Sequence, residues 1–278
     1  VELIEKRRDT FDYIDDALSD AKRRGTLVKA YTEVSETASV SEKLTKDLAV
    51  LAENSRGFID CGSLEITKRE VDGDDWIEIW RKHFRPIDYG KIVVCPKWIE
   101  YEPKAGEEVV YIDSNMAFGT GEHETTSMCI EQIEEYVTPE MTVLDVGTGS
   151  GILGISAVKL GAKEAVMTDI DTVAVLSAKH NAEINGVSDR CRIVKADLID
   201  GVEDIADLAV ANIMAEILVR LAPGISVQLK KGGILIMSGI IKERIKLVDD
   251  AFSAVGFKLI KTVNKGEWYA LVMQNIGL

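Results

Sequence analysis

The fold is decided by the stretch Val143-Leu-Asp-Val-Gly-Thr-Gly-Ser-Gly151, in which an apolar run passes into three alternating glycines. The residues that follow this stretch have helical spacing. Glycines permit a tight turn and let the backbone approach a ligand closely at the N-terminus of a helix. The sequence therefore predicts a strand, a ligand-binding loop and a helix, with Gly147 and Gly149 among the residues that contact the ligand.

Apolar segments of strand length recur after this stretch and alternate with helical segments. Alternation at this spacing is typical of a parallel sheet that is covered by helices on both faces. We therefore predict an α/β, Rossmann-like fold with a parallel-rich central sheet. The predicted strands are residues 143–146, 165–168, 191–194, 208–211 and 234–237.

The glycine motif alone fits two cofactors. The residues from Gly149 to Gly154 also satisfy the dinucleotide fingerprint, and Asp169 lies 20 residues after Gly149, so NAD stays open at this point. Asp145 precedes the first glycine, where its carboxylate could reach the amino group of the methionine moiety of S-adenosylmethionine. The same charge would repel a pyrophosphate. We therefore favour S-adenosylmethionine.

Polar side chains also stand at the ends of the next three predicted strands. Asp169 is placed to bind the two ribose hydroxyls, and Asp197 to accept a hydrogen bond from the adenine amine. Asn212 ends the fourth strand. Ligands of open α/β folds bind at the carboxyl ends of the strands. Any one of these residues could be a turn or cap residue, but together they indicate one cofactor site.

The N-terminal part of the chain has a different pattern, in which two helical segments are each followed by a strand-like segment. The second helix is expected to begin at Ser41 as its cap. Because the chain opens with Val1, we expect a longer gene product and an incomplete first domain. The predicted domains are an α+β unit at 1–71, a linker helix at 72–90 that ends at Pro86, and a cofactor-binding domain at 91–278.

Charge and composition exclude several classes of protein. The formal net charge of −14 disfavours nucleic acid as a direct ligand. No apolar run approaches the roughly 20 residues that cross a bilayer, so we expect no membrane span and a cytoplasmic protein. The cysteines form no C-x-x-C pair, which predicts buried free thiols and no metal site. They are Cys61, Cys95, Cys129 and Cys191.

One further stretch, Asp113-Ser-Asn-Met-Ala-Phe-Gly-Thr-Gly-Glu-His-Glu-Thr-Thr126, resembles the ribosomal protein L11 methyltransferases of the PrmA type. The Phe-Gly-Thr-Gly-x-His-x-Thr-Thr part of it is specific to that family, whereas the glycine loop is shared by most class I methyltransferases. The resemblance covers roughly residues 74–272. The N-terminal 70 residues match only in pattern, and the opening strand-helix-strand of the family's ferredoxin-like domain is not found.

The resemblance implies roles for individual residues. Thr126, Gly147, Asp169 and Asn212 align with the family's contacts to S-adenosylmethionine, and Phe118 lies in the loop that closes over the cofactor. His123, by contrast, is open to two interpretations, a catalytic base or a residue that starts a helix and packs against a neighbour.

The predicted activity is methyl transfer from S-adenosylmethionine to lysine or α-amino groups of a basic ribosomal protein of the large subunit. Asn212 is the predicted catalytic residue, because it can orient the attacking amine, and no metal is required. One alternative is a related methyltransferase that acts on another protein lysine or on a small amine. Others are a cofactor-binding module without turnover and, more remotely, an NAD oxidoreductase.

Overall fold

The computed structural model describes residues 36–56, 64, 66, 85–113 and 123–277. The chain divides into two compact units, Val1–Lys82 and His83–Leu278. This boundary falls inside the predicted linker helix of residues 72–90. The helical part of that linker, residues 76–84, lies outside the described residues, as do the first predicted helix and strand.

The described part of the first unit contains one helix, α1 (Thr37–Asn54). The prediction that Ser41 caps this helix is wrong, because the helix begins four residues earlier and the cap position is Glu36. Residues 37–40 contain neither glycine nor proline, so nothing in them stops the helix from starting before Ser41. The backbone carbonyl of Ser41 instead accepts a hydrogen bond from the Thr45 hydroxyl within the helix. The ferredoxin-like interpretation of this unit stays a prediction.

The described part of the second unit alternates strands and helices. In chain order its elements are β1 (Ile87–Tyr89), β2 (Ile92–Pro96), β3 (Glu108–Ile112), α2 (Glu124–Tyr136), β4 (Thr142–Val146), α3 (Ile152–Lys159), β5 (Glu164–Asp169), α4 (Thr172–Ile184), β6 (Cys191–Lys195), β7 (Ala206–Asn212), α5 (Ala215–Gln228), β8 (Leu229–Ile241), a 3-10 helix (Lys242–Arg244), α6 (Ile245–Ser253), β9 (Phe257–Lys265) and β10 (Trp268–Asn275). Because β1 pairs with β2, residues 87–89 are strand, and the predicted linker range is too long at its C-terminal end.

The central sheet has seven strands in the order β6-β5-β4-β7-β8-β10-β9. The first five of these are parallel, which confirms the predicted parallel-rich sheet. β10 is antiparallel to both β8 and β9, and this C-terminal hairpin was not predicted. Its sequence carries the signal, since Phe257, Leu259 and Val263 recur at even spacing along β9, where they are less exposed than their neighbours, and a glycine turn at Gly266 follows.

Helices cover both faces of this sheet. Along β4, Val143 and Asp145 face the side of α2, α3 and α4, whereas Leu144 and Val146 face the side of α5 and α6. The first face packs into an apolar core that contains Ile133 and Ile155. The second face packs into another apolar core, which contains Leu218 and Phe252. Asp145 is therefore a carboxylate on a strand face that is otherwise apolar, and α2 packs over that same face.

A smaller sheet of β1, β2 and β3 is joined to α4 by two asparagine side chains. Asn185 Oδ1 accepts from the Tyr111 N–H (2.8 Å), and Asn185 Nδ2 donates to the Tyr111 carbonyl (2.7 Å). Asn181 Oδ1 accepts from the Asp113 N–H (2.9 Å), and its Nδ2 donates to the Ser150 carbonyl in the glycine loop (2.7 Å). One asparagine in α4 and one at its C-cap thus satisfy the edge of β3 and bind the glycine loop.

Three of the four cysteines lie among the described residues. Cys95, Cys129 and Cys191 are buried free thiols, as predicted, and Cys61 lies outside the described residues. Within the part of the chain that the structure describes, no helix has both the length and the apolar character that a membrane crossing requires.

Candidate active site

The glycine loop follows β4 and has a backbone that only glycine adopts easily. Gly147 has φ +73° and Gly149 φ +55°, and Gly151, at φ +87°, is the N-cap of α3. The N–H groups of Gly147 and Thr148 both donate to the Thr168 carbonyl at 2.9 Å. A Cβ on Gly147 would lie 2.5 Å from Ile213 Cγ2, so the loop lies directly against the residue that follows Asn212.

Asp145 lies beneath this loop with no exposed surface. Its Oδ2 accepts from the Thr148 hydroxyl (2.6 Å) and from the Gly154 N–H (2.9 Å), whereas its Oδ1 is buried without a hydrogen-bond partner. Burial raises the pKa of Asp145 to about 6, although the two hydrogen bonds lower it. The structure thus differs from the predicted ligand contact, because the loop folds over Asp145 and leaves no surface for a ligand to touch.

Asp169 ends β5 and is only partly buried. Its Oδ2 accepts from the Gly149 N–H and its Oδ1 from the Asp171 N–H, each at 2.9 Å. Two backbone hydrogen bonds fix the carboxylate, and each oxygen keeps a lone pair for another donor. The geometry is compatible with binding of two ribose hydroxyls, and that role stays a prediction.

Asn212 ends β7 and meets the first turn of α2. Its Nδ2 donates to Thr125 Oγ1 at 3.1 Å and lies 3.4 Å from Thr126 Oγ1. Both threonines are almost fully buried, with 3% and 2% of their surface exposed. The structure thus brings together the predicted site residues Thr126 and Asn212, which are 86 positions apart. The sequence analysis missed Thr125, although the Thr-Thr pair in the family-specific stretch is the signal that could have pointed to it.

His123 begins α2 as its N-cap. Its Nδ1 accepts from the Thr125 N–H (3.3 Å) and lies 2.9 Å from the Thr125 hydroxyl. The ring makes an edge-to-face contact with Trp268 at the start of β10, with centroids 5.1 Å apart. The structure thus shows His123 at a helix start and in a packing contact, which supports the second of its two interpretations.

Comparison with known proteins identifies a family that matches almost the whole chain. The family described as ribosomal protein L11 methyltransferase (PrmA) matches residues 2–276. The chain belongs to this family. The resemblance seen in the sequence is therefore confirmed, and with it the class I, Rossmann-like methyltransferase fold.

Individual relatives give the same result. The chain is 42% identical to the ribosomal protein L11 methyltransferase of Alkaliphilus oremlandii, over 96% of this chain and 85% of that protein. It is 39% identical to the protein of that name from Alkaliphilus metalliredigens, over 99% and 86%. The crystal structure of the ribosomal protein L11 methylase of Lactobacillus delbrueckii subsp. bulgaricus matches with a TM-score of 0.66 and 34% identity, over 69% of this chain and 99% of that one.

The predicted contacts of Phe118 and Asp197 with the cofactor both stay predictions. Phe118, in the loop expected to close over the cofactor, lies outside the described residues. Asp197 follows β6 and forms an ion pair with Arg220 (2.9 Å) in which both side chains are about half exposed. Its role toward adenine stays a prediction. In the described ranges, no three His, Cys, Asp or Glu side chains gather in a way that could hold a metal ion.

The loop region suits S-adenosylmethionine better than NAD. The hydrogen-bond partners of Asp145 and Asp169 are a hydroxyl and backbone N–H groups, and no cationic side chain is among them. The charge on Asp169 also raises the pKa of Asp145. Two carboxyl groups at a glycine loop, with no cationic partner among the described residues, suit a cationic sulfonium better than a pyrophosphate. The cofactor of this methyltransferase family member is S-adenosylmethionine.

Proposed function

We propose that this chain transfers methyl groups from S-adenosylmethionine to lysine or α-amino groups of ribosomal protein L11. The observation that carries the proposal is the meeting of Asn212 with the threonines of α2, beside the glycine loop. The relatives, which are ribosomal protein L11 methyltransferases and match over most of their own length, support the same substrate.

S-adenosylmethionine, when bound, supplies an electrophilic methyl group. The protein has to align the acceptor nitrogen with that group and exclude water. A lysine with a pKa near 10.4 is neutral in only about one molecule in a thousand at neutral pH, so the neutral form must be selected. The Oδ1 atom of Asn212 can accept a hydrogen bond from the neutral amine and thereby direct its lone pair. We assign Asn212 this orienting role and propose no general base.

The charge of the chain fits a basic protein substrate. The net charge of −14 attracts a cationic partner and speeds its encounter, and it opposes a nucleic acid as a direct ligand. We place the reaction in the cytoplasm, where ribosomal proteins are made, and we propose no membrane partner.

Purified ribosomal protein L11 and isotope-labelled S-adenosylmethionine test this function directly. We expect labelled methyl groups on L11, located by mass spectrometry, and little transfer to another basic ribosomal protein or to free lysine at the same concentration. Transfer to free lysine at a rate equal to that on L11 would contradict the substrate assignment. Binding of the cofactor without any transfer would favour a module without turnover.

We also propose that the first unit recognises the ribosomal protein and the second unit carries the chemistry. Asp145, Asp169 and Asn212 all lie in the second unit. A fragment for this test should begin at His83, because a start near Asp88 would cut β1, which pairs with β2. We expect the fragment to keep its affinity for S-adenosylmethionine and to lose methylation of L11. Methylation as efficient as that of the whole chain would place recognition in the second unit.

A further inference from the structure

The Thr125 hydroxyl lies between the ring of His123 and the amide of Asn212. Its Oγ1 is 2.9 Å from His123 Nδ1 and 3.1 Å from Asn212 Nδ2. Only 3% of the surface of Thr125 is exposed, so water does not compete for these contacts. The residue comes from α2, whereas Asn212 comes from the end of β7, 87 positions later. None of the roles assigned so far uses this hydroxyl.

The helix cap that His123 forms indicates the direction of the hydrogen bonds among these three groups. His123 Nδ1 accepts the Thr125 N–H at 3.3 Å, so this ring nitrogen carries no proton, and its one lone pair is shared with the Thr125 hydroxyl, which is closer at 2.9 Å. The single proton of the Thr125 hydroxyl can then be donated to His123 Nδ1. Toward Asn212 the hydroxyl has only lone pairs left, and the amide must present its NH2 group. The Oδ1 of Asn212 therefore faces away from Thr125.

The hydroxyl of Thr126 does not determine which end of the Asn212 amide faces it. Thr126 Oγ1 is 3.4 Å from Asn212 Nδ2, and a hydroxyl can donate to an amide oxygen as readily as it accepts from an amide NH2. The two ends of an asparagine amide have almost the same shape, so packing does not distinguish them. Thr125 differs because its one proton is already held by His123.

We propose that Thr125, with its proton held by His123, is a positioning residue that sets the orientation of the Asn212 amide. In that orientation the Oδ1 atom is left to accept the hydrogen bond of the incoming amine. The inference rests on the proposed function for the identity of that amine. The orientation of the amide itself is a property of the free protein.

The first test needs neither cofactor nor substrate. The side-chain NH2 signals of Asn212, identified by their loss in Asn212→Asp, are followed by NMR in the free protein. Loss of one hydrogen bond in Thr125→Val should speed exchange of these protons with water by about tenfold, and Thr125→Ser should restore slow exchange. Equal exchange rates in wild type and Thr125→Val would overturn the proposal.

The second test separates turnover from binding. With L11 as substrate, Thr125→Val should lower kcat by about tenfold and change the Kd of S-adenosylmethionine less than about twofold, with activity regained in Thr125→Ser. Thr142→Val is the matched control, because it removes a hydroxyl at the start of β4, the end away from the glycine loop, that donates to Glu164 of β5, and its kcat should be unchanged. A wild-type kcat in Thr125→Val, or an equal loss of cofactor affinity, would overturn the proposal.

A disturbed fold and a failure of the proposed function can each be distinguished from a failure of the Thr125 proposal. Thr125→Ala replaces Thr125→Val if melting temperatures show that valine disturbs the fold, and the same changes are expected of it. If the wild-type chain transfers no methyl group to L11, the proposed function fails, whereas the exchange rates of Asn212 still decide whether Thr125 orients the amide.

Discussion

Two halves of the site are built in different ways. The loop half, formed by Asp145, Gly147 and Asp169, depends on backbone conformations and on hydrogen bonds to backbone N–H groups. The threonine half, formed by Thr125 and Asn212, depends on hydrogen bonds between side chains. A change in the loop half should therefore alter stability or cofactor binding, whereas a change in the threonine half should alter turnover in a protein that still folds and binds cofactor.

The largest effect is expected for Asn212→Ala in the threonine half. Without the amide the acceptor amine is no longer oriented, and kcat should fall by about 100-fold or more. The Kd of S-adenosylmethionine, measured by calorimetry, should change much less. If kcat and affinity fall by the same factor, Asn212 is only a cofactor ligand and the distinction between the halves is lost.

Gly147→Ala tests the loop half through the backbone. The alanine would have to adopt φ near +73° and would place its Cβ 2.5 Å from Ile213 Cγ2, so the free energy of unfolding should fall by about 2 to 3 kcal/mol. Gly186→Ala is the control, since it has φ +64° and no atom within 4 Å, and it should lose only about 1 kcal/mol. Equal losses in denaturant titrations would show that the Ile213 contact is unimportant.

Asp145→Asn tests the same half through pH. Burial raises the pKa of Asp145 from 3.8 to about 6, so between these pH values the folded protein holds a proton that the unfolded chain has released. The stability of the wild type should then fall as the pH rises through this range. Asparagine does not titrate, so the stability of the variant relative to wild type should grow by about 2 kcal/mol between pH 4 and pH 7. A difference that is independent of pH would contradict this.

Asp169→Ala gives the smallest expected effect and sharpens the contrast with Asn212. Loss of the carboxylate should weaken binding of S-adenosylmethionine about tenfold, while kcat at saturating cofactor stays close to that of the wild type. Asp171→Asn, which keeps an acceptor for the Val173 N–H at the start of α4, is the matched control and should bind normally. Unchanged affinity in a folded Asp169→Ala protein would remove Asp169 from the site.

The sequence predicted the loop half better than the threonine half. Gly147 and Asp169 lie at the ends of successive strands, so a local pattern of strand, glycine and acid was enough to place them together at one edge of the sheet. The contact between Thr125 and Asn212 could not be found in this way, because α2 precedes the sheet in the chain and only packing brings its first turn to the end of β7.

The role of Asp145 was predicted incorrectly from the sequence for a different reason. Its position in the motif predicted a ligand contact, but the strand alternation places it on the same face as Val143, which is fully buried. The alternation was visible in the sequence and points to the observed burial. What the sequence does not show is that Thr148 and Gly154 fold back to bond the same oxygen, which makes the carboxylate a support for the loop.

The position of β8 in the sheet has a consequence for synthesis of the protein. This strand pairs on one edge with β7 and on the other with β10, and Leu235, Ile236 and Met237 are fully buried there. On a translating ribosome, β8 emerges before β10, by on the order of seconds at usual elongation rates. During that interval an apolar strand has an open edge, which invites pairing with other chains. Asn212 is paired with Ser238 of β8, so the candidate site is built on the strand whose open edge the last hairpin covers.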